Sequence, residues 1–149
     1  MTELRLSDIP KLVFVKKHEN AKLPTKNNQS DTGFDVYGIE DVTVPARGSA
    51  VIPTGIDVGY ITPGYWFKVE GRSGLGFKSG LMPHGGIIDN GYRGNTGIKI
   101  YNLTDTDYHF KAGDKIAQIV VHINFEIQVE WGEKVESDRG EKGFGSSGR

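Results

Sequence analysis

The sequence predicts an all-β protein, a sandwich or a barrel, on three observations. No segment shows the 3.6-residue apolar period of an amphipathic helix of ordinary length. Apolar residues come instead in short runs that alternate with polar ones, broken by turn signals at intervals of about 8–12 residues. Glycine supplies 21 of the 149 residues against 6 prolines, about twice ordinary usage, which suits tight turns and backbone that approaches a ligand closely. A chain of this length is one domain by prior and buries about two-thirds of its unfolded surface.

The elements follow in order. Residues 1–10 form a polar lead-in, and Lys11–Lys17 (KLVFVKK) reads as the first strand. A loop over 18–30, with Pro24 and two consecutive asparagines, precedes a strand in which Phe34 and Val36 alternate with Asp35 and Tyr37. Short strands around Val42–Val44 and Ala50–Ile52 each stop at a proline and flank the turn Ala46-Arg47-Gly48. Ile56–Val58 and Tyr65–Val69 flank Thr62-Pro63-Gly64, a hairpin signal. Gly71–Ser79 is a tight glycine-rich loop with room for one helical turn. Gly86-Ile87-Ile88-Asp89-Asn90-Gly91-Tyr92-Arg93-Gly94 reads as a strand, an Asn-Gly turn of type I′ with φ > 0 at both central residues, and a return strand. Gly97–Tyr101 is a further strand. Asp114–Trp131 lacks Gly and Pro and places Ile119, Val121, Ile123, Phe125, Ile127, Val129 and Trp131 on alternate positions. It is read as one long strand or two broken by a bend.

Composition excludes several function classes. A formal net charge of −1 gives no general attraction to nucleic acid or anionic membranes. The absence of cysteine removes disulfides, thiolate metal sites and a cysteine nucleophile, and is compatible with a reducing cytosol. The charged start is no signal peptide, and no run of about 18 apolar residues could span a membrane. The expected location is cytoplasmic, or the host cytoplasm if the chain is viral. Residues 132–149 carry only Val135 and Phe144 as large apolar side chains. Burial there cannot offset the entropy of ordering, so residues 1–131 are expected to form the barrel and 132–149 a flexible arm.

Candidate chemistry concentrates in three stretches. Asp89 and Tyr92 flank a turn that can hold an acid rigidly. Gly71-Arg72-Ser73-Gly74-Leu75-Gly76-Phe77-Lys78-Ser79 fails as a Walker A loop, because Phe77 stands where lysine is required. It still offers backbone N–H groups, a hydroxyl and a fixed cation to an anion. The arm segment Arg139–Gly148 could order over a ligand, its aromatic stacking on a base and its Ser and Arg groups meeting phosphate oxygens. Taken singly, these stretches also fit a surface hairpin, a glycine-rich turn and an ordinary tail. The four histidines are scattered without metal-ligand spacing, and Ser73 lies outside a nucleophile elbow.

Together the stretches resemble the trimeric deoxyuridine triphosphatase (dUTPase) family, whose five motifs occur here in order. They are Thr32-Gly33-Phe34-Asp35-Val36; Gly71–Gly76; Gly86–Gly94; Gly113-Asp114-Lys115-Ile116-Ala117-Gln118-Ile119; and Arg139–Gly148. The resemblance covers about residues 30–149. It implies a jelly-roll-like β-barrel, a homotrimer with sites between subunits, and an arm that closes over a neighbour's site. It implies hydrolysis of dUTP to dUMP and pyrophosphate, which keeps uracil out of DNA and supplies dUMP for thymidylate synthesis.

The resemblance also implies roles. Asp89 would activate water at the α-phosphorus, needing only hydrogen-bond reach to it. Tyr92 would pack under the deoxyribose and reject a 2′-hydroxyl. Backbone groups of Gly86, Ile87 and Ile88 would pair with uracil. Arg72, Ser73, Gly74 and Gln118 would hold the phosphate chain. Arg139, Gly145, Ser146 and Ser147 would close on the substrate, the arginine and serines gripping the terminal phosphates, while Phe144 stacks on the base. Mg²⁺ would sit chiefly on the triphosphate, reached by Asp35 through water. The stretch Gly80–Gly86 is about two residues shorter than in many members and lacks their Asn, resembling the shorter version of some viral members. Two other readings stay open at this point: a dCTP deaminase-type relative, disfavoured because the hairpin has no Glu, and a dUTP-sensing protein whose arm ordering controls a protein partner.

Overall fold

Alternating side chains sort into an inside and an outside in the computed structural model, which describes residues 9–84 and 86–145. Eleven strands form, all paired antiparallel. The first five are β1 (Leu12–Lys16), β2 (Phe34–Tyr37), β3 (Val42–Val44), β4 (Ser49–Ile52) and β5 (Ile56–Ile61). Then come β6 (Tyr65–Glu70), β7 (Leu81–Pro83) and β8 (Ile87–Ile88), and last β9 (Ile98–Asn102), β10 (Tyr108–Phe110) and β11 (Lys115–Ile123). One helical turn, Gly74–Lys78, interrupts them where the sequence leaves room for it. The expected all-β class is what the chain adopts.

Four sheets wrap one core. Their strand orders are β2-β11-β6-β8, β4-β9-β7, β1-β5 and β10-β3. Val36, Phe67, Val69, Ile98, Ile100, Phe110 and Ile119 pack together in the centre. Phe67 is 1% exposed and meets the edge of Phe14 at 6.2 Å between ring centroids. It lies on β6, which is bonded on one side to β11 and on the other to β8.

Three expectations are corrected. The turn at Thr62-Pro63-Gly64 forms, with Gly64 at φ +89, but it joins different sheets, since β5 pairs with β1 and β6 with β11 and β8. A turn signal specifies a reversal of the chain, and burial of the flanking strands chose other partners. The stretch after Asn90-Gly91 does not return along β8. It crosses to β5, where Gly94 accepts from the Val58 N–H (2.9 Å) and Asn95 bridges Asp57. Neither Asn90 nor Gly91 takes a positive φ, so the turn is not type I′. Finally, β11 ends at Ile123 although the apolar alternation continues, because among the described residues no strand lies beside 124–131. Phe125, Ile127, Val129 and Trp131 are consequently exposed, at 78–102%.

Truncating Phe67 to alanine empties the centre of this arrangement. It is expected to cost about 3–5 kcal/mol, read as a lower urea midpoint, with Phe67→Leu retaining most of the stability.

Candidate active site

Antiparallel register brings three chain segments to one end of the large sheet. Gln118 on β11 stands opposite Asp35 on β2 and Glu70 at the end of β6, so the three lie in one row. Arg72 follows two residues after Glu70. Its Nε donates to Asp35 Oδ1 at 3.2 Å. Gln118 Nε2 donates to the Gly71 carbonyl at 2.7 Å, which ties β11 to the loop carrying Arg72. Gly33 makes that crossing possible, because a Cβ there would collide with the Gln118 amide. These groups line a polar cavity of about 280 Å³ with Asn27, Asp31, Thr32 and Ser73.

A bulge completes the electrostatics. Lys115 pairs with Tyr37 and Ala117 with Val36, leaving Ile116 as the extra residue. Ile116 and Ala117 therefore both enter the core, at 1% and 0% exposure. The extra residue also turns Lys115 toward Asp35 on the sheet's outer face, as bulges do when they re-aim a side chain. Lys115 Nζ lies 3.1 Å from Asp35 Oδ2 and 3.3 Å from Asn27 Oδ1. Asp35, with a side chain 14% exposed, thus has one cation on each oxygen. Sequence reading missed Lys115, Asn27 and Asp31. The signal for Lys115 was the adjacent apolar pair Ile116-Ala117, which breaks the alternation that resumes at Ile119.

Beside the Arg72 loop, a Cβ on Gly74 would meet nothing within 4 Å, so packing within the chain does not demand glycine there. Close approach of a ligand to the backbone is a reason that remains. A separate cleft of about 370 Å³ between β1 and β11, lined by Phe14, Leu23, Phe34 and Tyr65 among others, is mainly apolar, with Lys11 the one charged side chain in its lining.

The Asp89 turn sits elsewhere. Tyr92 N–H closes it on the Asp89 carbonyl at 3.0 Å. Asn90 Nδ2 anchors it to the carbonyls of Tyr65 (2.8 Å) and Thr62 (3.1 Å). The Tyr92 hydroxyl donates to Asn95 O at 2.7 Å, and its ring occupies the space a Gly94 side chain would need. Asp89 is therefore held on a braced turn with its side chain exposed. Strand β8 is the edge of its sheet, so one side of the Ile87–Ile88 backbone has no strand partner among the described residues. The Gly86 carbonyl is already taken by Val69 N–H at 2.9 Å.

The fold does not bring Asp89 and Arg72 together in one chain. Ile88 stands opposite Phe67, five residues before Arg72 along β6. At about 3.3 Å per residue that separation is roughly 17 Å, and Asp89 lies one residue further still. Nor do the described arm residues, 132–145, reach either group. The hydrogen bonds and ion pairs of 125–145 are internal to that stretch, such as Arg139 Nε to Lys142 O (2.6 Å) and Lys134 to Glu141 (2.6 Å). Phe144 is fully exposed and Gly145 is exposed. Ser146 and Ser147 lie outside the described residues.

Among the described residues no three His, Asp or Glu groups gather into a metal cage, and both Asp35 oxygens are engaged by cations. Such a site suits a divalent ion carried by its ligand's oxygens and waters rather than an all-protein cage.

An all-β fold that gathers Arg72 and a glycine-rich loop with free backbone N–H groups at a polar cavity presents the chemistry of an anion-binding site. Comparison with known proteins names the family: the dUTPase profile matches residues 19–148, and the chain belongs to the dUTPase family. A rice deoxyuridine 5'-triphosphate nucleotidohydrolase is 38% identical over 146 residues, 97% of this chain and 85% of the relative. The dUTPase of Staphylococcus bacteriophage 80alpha, solved with dUpNHpp, superposes with a TM-score of 0.84 at 32% identity, covering 93% of this chain and 99% of that one. A mutant dUTPase from phage phi11 of S. aureus, solved to show the coordination of a structural Mg(II) ion, matches at TM-score 0.75 and 29% identity, over 85% and 99% of the two chains. These relatives lend no support to the deaminase reading.

Replacing Gly33 with alanine drives the Gln118 amide off the Gly71 carbonyl. The expected result is a KM for nucleotide substrate raised about tenfold with a melting temperature lowered by only a few degrees, measured by pyrophosphate release and calorimetry.

Proposed function

We propose that this chain hydrolyses dUTP to dUMP and pyrophosphate, with Asp89 orienting and deprotonating the water that attacks the α-phosphorus. The observation that carries the reading is the polar cavity where Asp35, Arg72, Ser73 and Gln118 converge from three separate segments. Arg72 offers the terminal nitrogens of a guanidinium, and Ser73 and Gly74 offer backbone N–H groups, to the phosphate chain. Gln118 fixes the loop that presents them.

At the braced turn, the Asp89 carboxylate needs only hydrogen-bond reach to water to accept its proton. Tyr92 supplies a flat wall with no space for a 2′-hydroxyl. The open side of the Ile87–Ile88 backbone, with Gly86 beside it, supplies donors and acceptors for the uracil edge, as an edge strand does for any extended partner. Mg²⁺ bound to the triphosphate offsets its charge, and Asp35 meets its hydration shell. Arg139, Gly145, Ser146 and Ser147 close on the substrate, with Phe144 on the base; Arg139, Phe144 and Gly145 are exposed in the single chain.

The distance between Asp89 and Arg72 favours a site assembled from more than one copy. A homotrimer is the assembly this reading takes, with the arm of 132–149 crossing to a neighbour and the exposed apolar row Phe125, Ile127, Val129 and Trp131 buried between copies. The reaction would proceed in the cytoplasm, or the host cytoplasm for a viral chain. Among the described residues no helix is long and apolar enough to cross a membrane.

Pyrophosphate release is expected with dUTP and not with dTTP, dCTP or UTP at equal concentration. Asp89→Asn should lower kcat about 10²–10⁴-fold with little change in KM, because it removes the proton acceptor and keeps the shape. Release that persists unchanged in Asp89→Asn contradicts the assigned base.

A further inference from the structure

We propose that Lys115 is a positioning residue that keeps Arg72 available to the phosphate chain by occupying the second oxygen of Asp35. The inference rests on the reading of Arg72 as a phosphate contact. An aspartate facing an arginine tends to form a bidentate pair, both oxygens on the guanidinium, which would consume Nε and one terminal nitrogen. Here Arg72 is held at Nε alone, by Oδ1. Among the described residues its terminal nitrogens make no hydrogen bond within the protein. Oδ2 is instead drawn off by Lys115 Nζ at 3.1 Å.

The backbone is arranged for this contact. In a regular strand without the bulge, strict alternation would send residue 115 toward the core with Ala117 and Ile116 outward, and the Lys115 ammonium could not reach Asp35. Asn27 Oδ1, 3.3 Å from Nζ, fixes the ammonium from the far side. The two cation side chains are 30–32% exposed around a carboxylate at 14%, so the three charges are shielded enough to constrain one another. Asp35 then serves as a lever: one oxygen aims Arg72, and the other is kept from capturing it.

The test is Lys115→Met, which keeps the length of the stem and removes the charge. Titration calorimetry with dUpNHpp should show affinity about tenfold weaker, as expected for a displaced charge-assisted contact. The inhibition constant of deoxyuridine, which carries no phosphate, should stay within about twofold, because the base and sugar contacts lie on another element. Lys115→Arg should restore most of the affinity, since a guanidinium can also hold Oδ2. In an Asp35→Asn background, Lys115→Met should add less than about twofold. Unchanged dUpNHpp affinity in Lys115→Met, equal weakening of deoxyuridine, or an undiminished effect in the Asp35→Asn background each overturns the proposal. A wild-type chain that neither binds dUpNHpp nor releases pyrophosphate removes the reading of Arg72 itself, and the proposal with it.

Discussion

The one-residue bulge in β11 is the constraint on which the polar site depends. It lets a strand paired on both sides, to β2 and to β6, bury Ile116 and Ala117 together while presenting Lys115 and Gln118 outward. The buried pair fastens the strand to the core. The outward pair then fixes Asp35 and the loop after Gly71 from one rigid support. A site on a central strand is held more firmly than one on a loop, and here the loop that carries Arg72 and Ser73 borrows that firmness through the Gln118 amide.

The second constraint is separation. Strand β6 joins the two candidate regions and also holds them apart, with Arg72 beyond its end and the Asp89 turn near its start. Each region is well braced alone: the turn by Asn90 and Tyr92, the cavity by Gln118, Arg72 and Lys115. Neither contains what the proposed reaction needs. Together with the exposed apolar row from Phe125 to Trp131, this makes a single chain look like part of a larger unit, and a symmetric assembly would bring one chain's turn to another's cavity.

Much of the fold was legible because its signals are local. Period-two alternation located β2, and β-rich runs bounded by turn signals located β1, β6 and β9, to within a residue or two, and proline ended β3 and β4 where it stands. What was not legible depends on partners distant in sequence. Thr62-Pro63-Gly64 announces a reversal but not that β5 will leave for β1. Asn90-Gly91 announces a turn, yet the Asn90 side chain spends its amide on the carbonyls of Thr62 and Tyr65, and the backbone settles without a left-handed residue. In the candidate site, Asp35, Arg72 and Gln118 were found from motif pattern. The ammonium of Lys115 was not, because its direction is set by a register shift that only pairing with β2 creates.

The claim most exposed to test is that Asp89 and Arg72 act from different chains. Arg72→Ala and Asp89→Asn variants, each nearly inactive alone, can be mixed one to one under unfolding conditions, refolded together and assayed for pyrophosphate release from dUTP. If the two residues come from neighbouring copies, random assembly leaves about a quarter of the sites intact, and activity returns to about a quarter of wild type. If they act within one chain, every site keeps one lesion, and a mixture no more active than its parents contradicts the account.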